Sequence, residues 1–137
     1  MTTMSESTVP ADAGSTICFE EGIIGLPHAR RFELLEKSGS AVRVLRCLDI
    51  EGLALPVTDP RLADRDYRPE LGPRIQEALA LSDGDPVLFL AVTTLEAEGC
   101  VANLRAPLVV NVRCQRAVQV ILDDRSYPLR APVRLDA

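Results

Sequence analysis

Through most of the chain, apolar and polar residues alternate with a period of two, the period of a strand with one covered face. Residues 30–36, RRFELLE, set Phe32 and Leu34 against Arg31 and Glu33. Residues 41–48 are apolar at 42, 44, 45 and 47, a strand pattern with a slip that leaves a bulge or a short helix open. Residues 53–58, LALPVT, read as a strand, and Pro56 places it at an edge or a bulge. Residues 87–95, VLFLAVTTL, are apolar on both alternating faces, which predicts a central strand covered on both sides. The runs ANLRAPLVVNV and AVQVILDD are rich in β-branched residues and alternate clearly. A short first strand is expected at residues 17–19.

One helix is expected, near residues 73–81. Pro73 suits a first helical turn, Ile75, Ala78 and Leu79 share a face, and Gly84 and Pro86 stop the run. Turns are marked by Gly22, Gly25 and Pro27, by Ser38-Gly39-Ser40 and by Glu98-Gly99. Seven or eight short strands joined by such turns predict an all-β, mainly antiparallel fold. The expectation is a compact β-barrel-like single domain over residues 15–137 with one short helix. Residues 1–14 are small and polar and read as a disordered tail.

The chain has 137 residues, enough for one domain with its own core. Aromatics are only 4%, with no Trp, so that core must come from Leu, Val, Ile and Ala. Net charge is -5, which disfavours a phosphate backbone as a partner and suits a basic protein. The charge is uneven: 17 acids against 9 bases up to residue 100, and 3 against 6 beyond it. A basic start followed by an apolar run is missing from the first ten residues, and no apolar stretch nears membrane-helix length, so a cytoplasmic location is expected. The charged loop of residues 59–70 reads as fully solvated.

The chemistry a catalyst needs does not assemble in the sequence. General acid–base or nucleophilic work requires several converging titratable groups. His28 is the sole histidine and follows Pro27 in a turn, where a solvated surface imidazole is the simpler reading. Asp123 and Asp124 are adjacent, so on a strand they point to opposite faces. The cysteines at 18, 47, 100 and 114 lack metal-ligand spacing and lie in or beside apolar runs, which reads as buried, reduced thiols. No metal, no cofactor and no small-molecule substrate is expected.

The C-terminal third carries the strongest candidate for contact. Residues 107–114 and 117–123 read as a hairpin. Its wholly apolar face, with Leu108, Val110, Val118, Val120 and Leu122, belongs inside. The opposite face then carries Val109, Asn111, Gln119, Ile121 and Asp123. In this register Asn111 lies near Gln119 and Val109 near Ile121, forming one exposed strip suited to a protein partner. The competing explanation is an ordinary solvated sheet face, and the loop of residues 59–70 is the alternative contact surface.

Read in order, the chain carries F-x-E-G-I-x-G-L-P, R-R-F-E-L-L, L-A-L-P-V-x-D-P, D-Y-x-P-E-L, ANLRAPLVVN, AVQVIL and S-Y-P-L-R-x-P. This ordered set, over about residues 17–132, resembles the FliW family of flagellar assembly factors. The resemblance implies a β-barrel-like fold with a small helical insertion, and neither catalysis nor cofactor. It also implies two protein partners that exclude each other. One is the small RNA-binding translational repressor CsrA, held off its messenger, and the other is flagellin. Asn103, Asn111, Gln119 and Tyr127 match motif positions, each with a conformational alternative. Asn103 can close a turn, and Tyr127 can pin the chain end. The cysteines and the polar tail depart from the family pattern. A small β-barrel enzyme or ligand-binding module is the alternative. A direct RNA binder is disfavoured by the missing aromatics and the acidic charge.

Overall fold

The computed structural model describes residues 16–36 and 40–134. The tail expected over residues 1–14, and the Ser38-Gly39 part of the turn, lie outside the described residues. The elements in chain order are β1 (Ile17–Phe19), β2 (Arg31–Leu35), β3 (Arg43–Cys47), β4 (Ala54–Thr58), a 3₁₀ turn (Pro60–Leu62) and α1 (Pro73–Ala78), then β5 (Val87–Glu96), β6 (Gly99–Ala102), β7 (Leu108–Asn111), β8 (Arg116–Gln119) and β9 (Ala131–Pro132).

All nine strands join one sheet, in the order β4-β3-β2-β1-β8-β7-β5-β6-β9, and a further β4–β5 pairing closes seven of them into a ring. The fold is thus mainly β with one short helix, as expected. Every pairing is antiparallel except β1 with β8. The slip at residues 41–48 is neither bulge nor helix, because β3 runs unbroken against β2 and β4. Pro56 sits where expected: β4 meets β5 only at Val57 and Thr58, so the Pro56 stretch has one free edge.

The ring interior is filled by Phe19, Phe32, Leu45, Val57, Leu90 and Leu108. Phe19 and Phe32 meet edge to face at 5.4 Å, a favoured aromatic geometry. The ten-residue β5 is covered on both faces, as its double alternation predicts. Leu88, Leu90 and Val92 face the ring interior, while Phe89 and Ala91 join a second cluster with Tyr67, Leu104 and Ala102. A third cluster lies beneath α1, where Leu79 packs on Val109 and Val120 with Ile75 and Leu71 alongside.

Four local expectations are corrected. Ala78 is exposed, so the buried stripe at α1 is Ile75 and Leu79, spaced by one turn. Residues 131–132 add a strand too short to carry a periodicity. Cys47 and Cys100 are buried, but Cys18 and Cys114 are exposed. The loop of residues 59–70 is not simply solvated, because Pro60, Tyr67 and Pro69 are buried.

Candidate functional site

The hairpin forms, but in another register. Leu108 pairs with Gln119, Val109 with Val118, Val110 with Ala117 and Asn111 with Arg116. Gln115 sets this register by taking a positive φ of 65° and donating its N–H to Asn111 O at 2.7 Å. The shift from the expected register is odd, and an odd shift exchanges the faces. Val109 and Asn111 therefore share a face with Val118, Val120 and Leu122, and that face is covered by α1. Val109 and Asn111 are both fully buried, so they are corrected from surface positions to interior ones.

Asn111 is satisfied by three polar contacts. Its Nδ2 donates to Leu79 O at 2.8 Å and to Ala80 O at 3.4 Å, and its Oδ1 accepts from Arg113 N–H at 3.0 Å. It anchors the end of α1, where Ala80 takes a positive φ of 55°. Below it, Asp85 accepts from Ser82 N–H and from Arg113 Nε. The Ser82 N–H, and then the Arg113 guanidinium, hold the Asp85 carboxyl below the usual carboxylate range.

Gln119 is half-buried and acts as a clamp. Its Oε1 accepts Ile24 N–H at 2.8 Å, and its Nε2 donates to Ala106 O at 3.2 Å. Beyond β8 the chain stays paired, with Val120 N–H on Pro107 O and Leu122 N–H on Arg105 O. Val120 and Leu122 pack inward, while Ile121 and Asp123 are exposed. Ile121 is 63% exposed and Ile24 is 55% exposed. The structure thus ties Gln119 to the exposed Ile24, leaves Ile121 and Asp123 exposed just beyond Gln119 in the chain, and buries Val109 and Asn111.

The other matched motif positions build the scaffold. Asn103 Oδ1 accepts the N–H groups of Arg105 and Ala106 at 3.0 and 3.1 Å, closing the turn. Arg105 Nε then donates to Tyr127 O at 2.8 Å, and Leu104 N–H to Pro128 O. Tyr127 packs edge to face on Tyr67 at 5.0 Å, which pins the end of the chain as expected.

A second surface feature was hidden in the charged loop. A cleft of about 470 Å³ opens between residues 59–68 and the start of β5. Arg61, Arg65 and Arg68 line one wall with Tyr67, and Val87, Leu88 and Phe89 line the other. Tyr67 donates its hydroxyl to Leu104 O at 2.7 Å. Burial, with Tyr127 and Asp64 nearby, pushes its phenol pKa well up, so it is a fixed wall and not a base. Arg61 is tied to Asp59 at 2.9 Å. Arg65 and Arg68 have no carboxylate partner among the described residues. The anchoring rhythm of Pro60, Tyr67 and Pro69 was the available signal, and the charges between them obscured it.

Among the described residues no three His, Cys, Asp or Glu side chains are grouped to hold a metal ion, and no helix is long and apolar enough to cross a membrane. Fold and surface define a ring-shaped β protein whose shared motif residues are spent on turns and clamps. The FliW protein family model matches residues 1–133. The flagellar assembly factor FliW of Thermotoga neapolitana is 34% identical over 116 residues, covering 82% of this chain and 78% of that protein. The flagellar assembly factor FliW of Bdellovibrio bacteriovorus is 30% identical over 120 residues, covering 85% and 69%. A crystal structure of the flagellar assembly factor FliW superposes with a TM-score of 0.81 at 24% identity, covering 90% of this chain and 89% of that one. The chain belongs to the FliW family of flagellar assembly factors.

Proposed function

We propose that this protein works in the cytoplasm as a flagellar assembly factor that binds a CsrA-type RNA-binding repressor and flagellin, one at a time. Flagellin in excess then frees the repressor, and flagellin synthesis falls. Membership of the family supports the reading, and the net charge of -5 supports steering toward a basic RNA-binding surface.

The observation that carries a contact surface is the exposed pair Ile24 and Ile121, joined through Gln119 and extended by Asp123. Two large exposed aliphatic side chains on a hydrogen-bonded frame suit an anchor with a polar rim. Val109 and Asn111 are buried beneath α1, so the proposed strip does not include them.

The test is a titration of flagellin into a complex with the repressor from the same cell. Displacement is expected. A stable ternary complex rules out mutual exclusion, and failure to bind either protein rules out the reading. Ile121→Ala is expected to weaken binding by about 2 kcal/mol, and Asp123→Lys to shift the preference between partners. Unchanged affinities in two folded variants reduce the strip to ordinary exterior.

A further inference from the structure

The cleft beside β5 is an unfinished sheet edge. Narrow and wide pairs alternate along an antiparallel ladder. Val112 donates its N–H to Pro86 O at 3.2 Å, which extends the β5–β7 register by one narrow pair. Residues 86, 88 and 90 therefore turn their backbone polar groups toward β7. The same parity holds further along, where Asn103 N–H reaches Val92 O on that side. Val87, Phe89 and Ala91 turn theirs the other way, toward β4.

Ala91 is met there by Thr58, the last residue of β4. The next narrow partner, opposite Phe89, is the position of Pro60. Pro60 has no N–H to give, and its carbonyl is already taken by Ala63 and Asp64 N–H groups in the 3₁₀ turn. The ladder parity directs the N–H and C=O of Val87 and Phe89 away from β7, and among the described residues no hydrogen bond outside the strand ladders reaches them. The ring is closed at Thr58 and open at Phe89, and the gap is the cleft of about 470 Å³.

An open edge holding four unused backbone groups is a template for one more strand, and added peptide strands recognise such edges in many domains. The charge beside it selects among peptides. Arg61, Arg65 and Arg68 line the cleft together with Asp59 and Asp66, a local excess of one positive charge on a chain of net -5. Arg61 and Asp59 neutralise each other, which leaves Arg65 and Arg68 against Asp66 alone.

We propose that this cleft receives a short extended peptide segment of a protein partner, added as a strand to Val87–Phe89, with an acidic side chain directed at Arg65 and Arg68. The proposal rests on the reading that this chain works by holding protein segments, and it names the chemistry of one such segment.

The probe is the synthetic peptide acetyl-Val-Glu-Val-Glu-Val-amide, titrated into the isotope-labelled full chain and followed by amide chemical shifts. Shifts are expected at Val87, Phe89 and residues 59–68. A peptide with Lys for both Glu residues is expected to bind roughly tenfold more weakly, and so is the Glu peptide N-methylated at alternate residues, which removes the ladder donors. The Arg65→Glu, Arg68→Glu double variant changes only exposed side chains and is expected to lose a similar factor for the Glu peptide while keeping its dispersed spectrum. Absence of shifts at Val87 and Phe89, or equal binding of the Lys or N-methylated peptide, overturns the proposal. Because the probe is synthetic, that failure removes the cleft and leaves the partner titration above to decide the broader reading.

Discussion

Asn111 is the residue whose role changes most between sequence and structure. In an alternating run an amide is naturally placed toward water, because water is its default partner. Its actual partners are Leu79 and Ala80, the former 32 residues earlier in the chain, and no local pattern carries that separation. Replacing it by Leu keeps much of the volume but leaves the Arg113 N–H without its partner and Leu79 O with only the weak Cys114 thiol, while Ala80 O keeps the Arg113 guanidinium. The expected cost is about 1–3 kcal/mol, read as a lowered urea midpoint, with α1 residues losing amide-exchange protection first. An unchanged midpoint sinks the anchoring role. Asn103 was legible for the opposite reason: its acceptors' partners, Arg105 and Ala106, lie within three residues of it, so local turn chemistry suffices.

At the scale of elements, the two-residue period locates the strands well and locates their covered faces poorly. Phe32 and Leu34 fall inward as read, because β2 has one covered face. The hairpin of β7 and β8 has two, and an alternation of Leu108, Val109, Val110 and Asn111 cannot say which cover is the ring and which is α1. Val109 and Asn111 were placed outward for that reason, while Ile121 and Asp123, past the covered stretch, kept their exposure. The turn before β2 is the converse case, where one glycine is dictated outright. Gly22 has a φ of +73°, and a Cβ there would lie 2.6 Å from Pro27 O. Ile23 and Leu26 close the turn by exchanging N–H and C=O bonds, so the backbone has little room to yield. Gly22→Ala is expected to destabilise by about 2 kcal/mol or more and to lower the thermal midpoint by several degrees. A wild-type melting curve contradicts it.

For the molecule as a whole, acid is a predictable weakness. Asp49 accepts the N–H groups of Arg31 and Arg30 at 2.7 and 3.0 Å, and the Arg31 guanidinium at 2.9 Å, so these bonds hold its carboxyl below the usual 3.8. A depressed folded pKa means stability that is present above the unfolded value and lost as pH falls through the folded one. The thermal midpoint is expected to drop as pH is lowered below about 4, and Asp49→Asn to flatten that drop while lowering the midpoint at neutral pH. An identical pH profile in the variant refutes the assignment. The overall architecture was legible because turn residues and strand runs alternate so regularly. The closure of the ring was not, since it depends on β1 lying parallel to β8, joining Cys18 with Arg116. That one pairing has a consequence for how the protein is made. A ribosome releases β1 long before β8, so while the intervening strands are made the nascent chain carries strand edges with nothing to receive them. A chain stopped after Cys114 is expected to collect in the insoluble fraction, and a chain running through Arg134 to stay in solution. Soluble, well-dispersed material from the shorter chain contradicts this. The ring can close only after β8, the last of its seven strands in chain order, has been made.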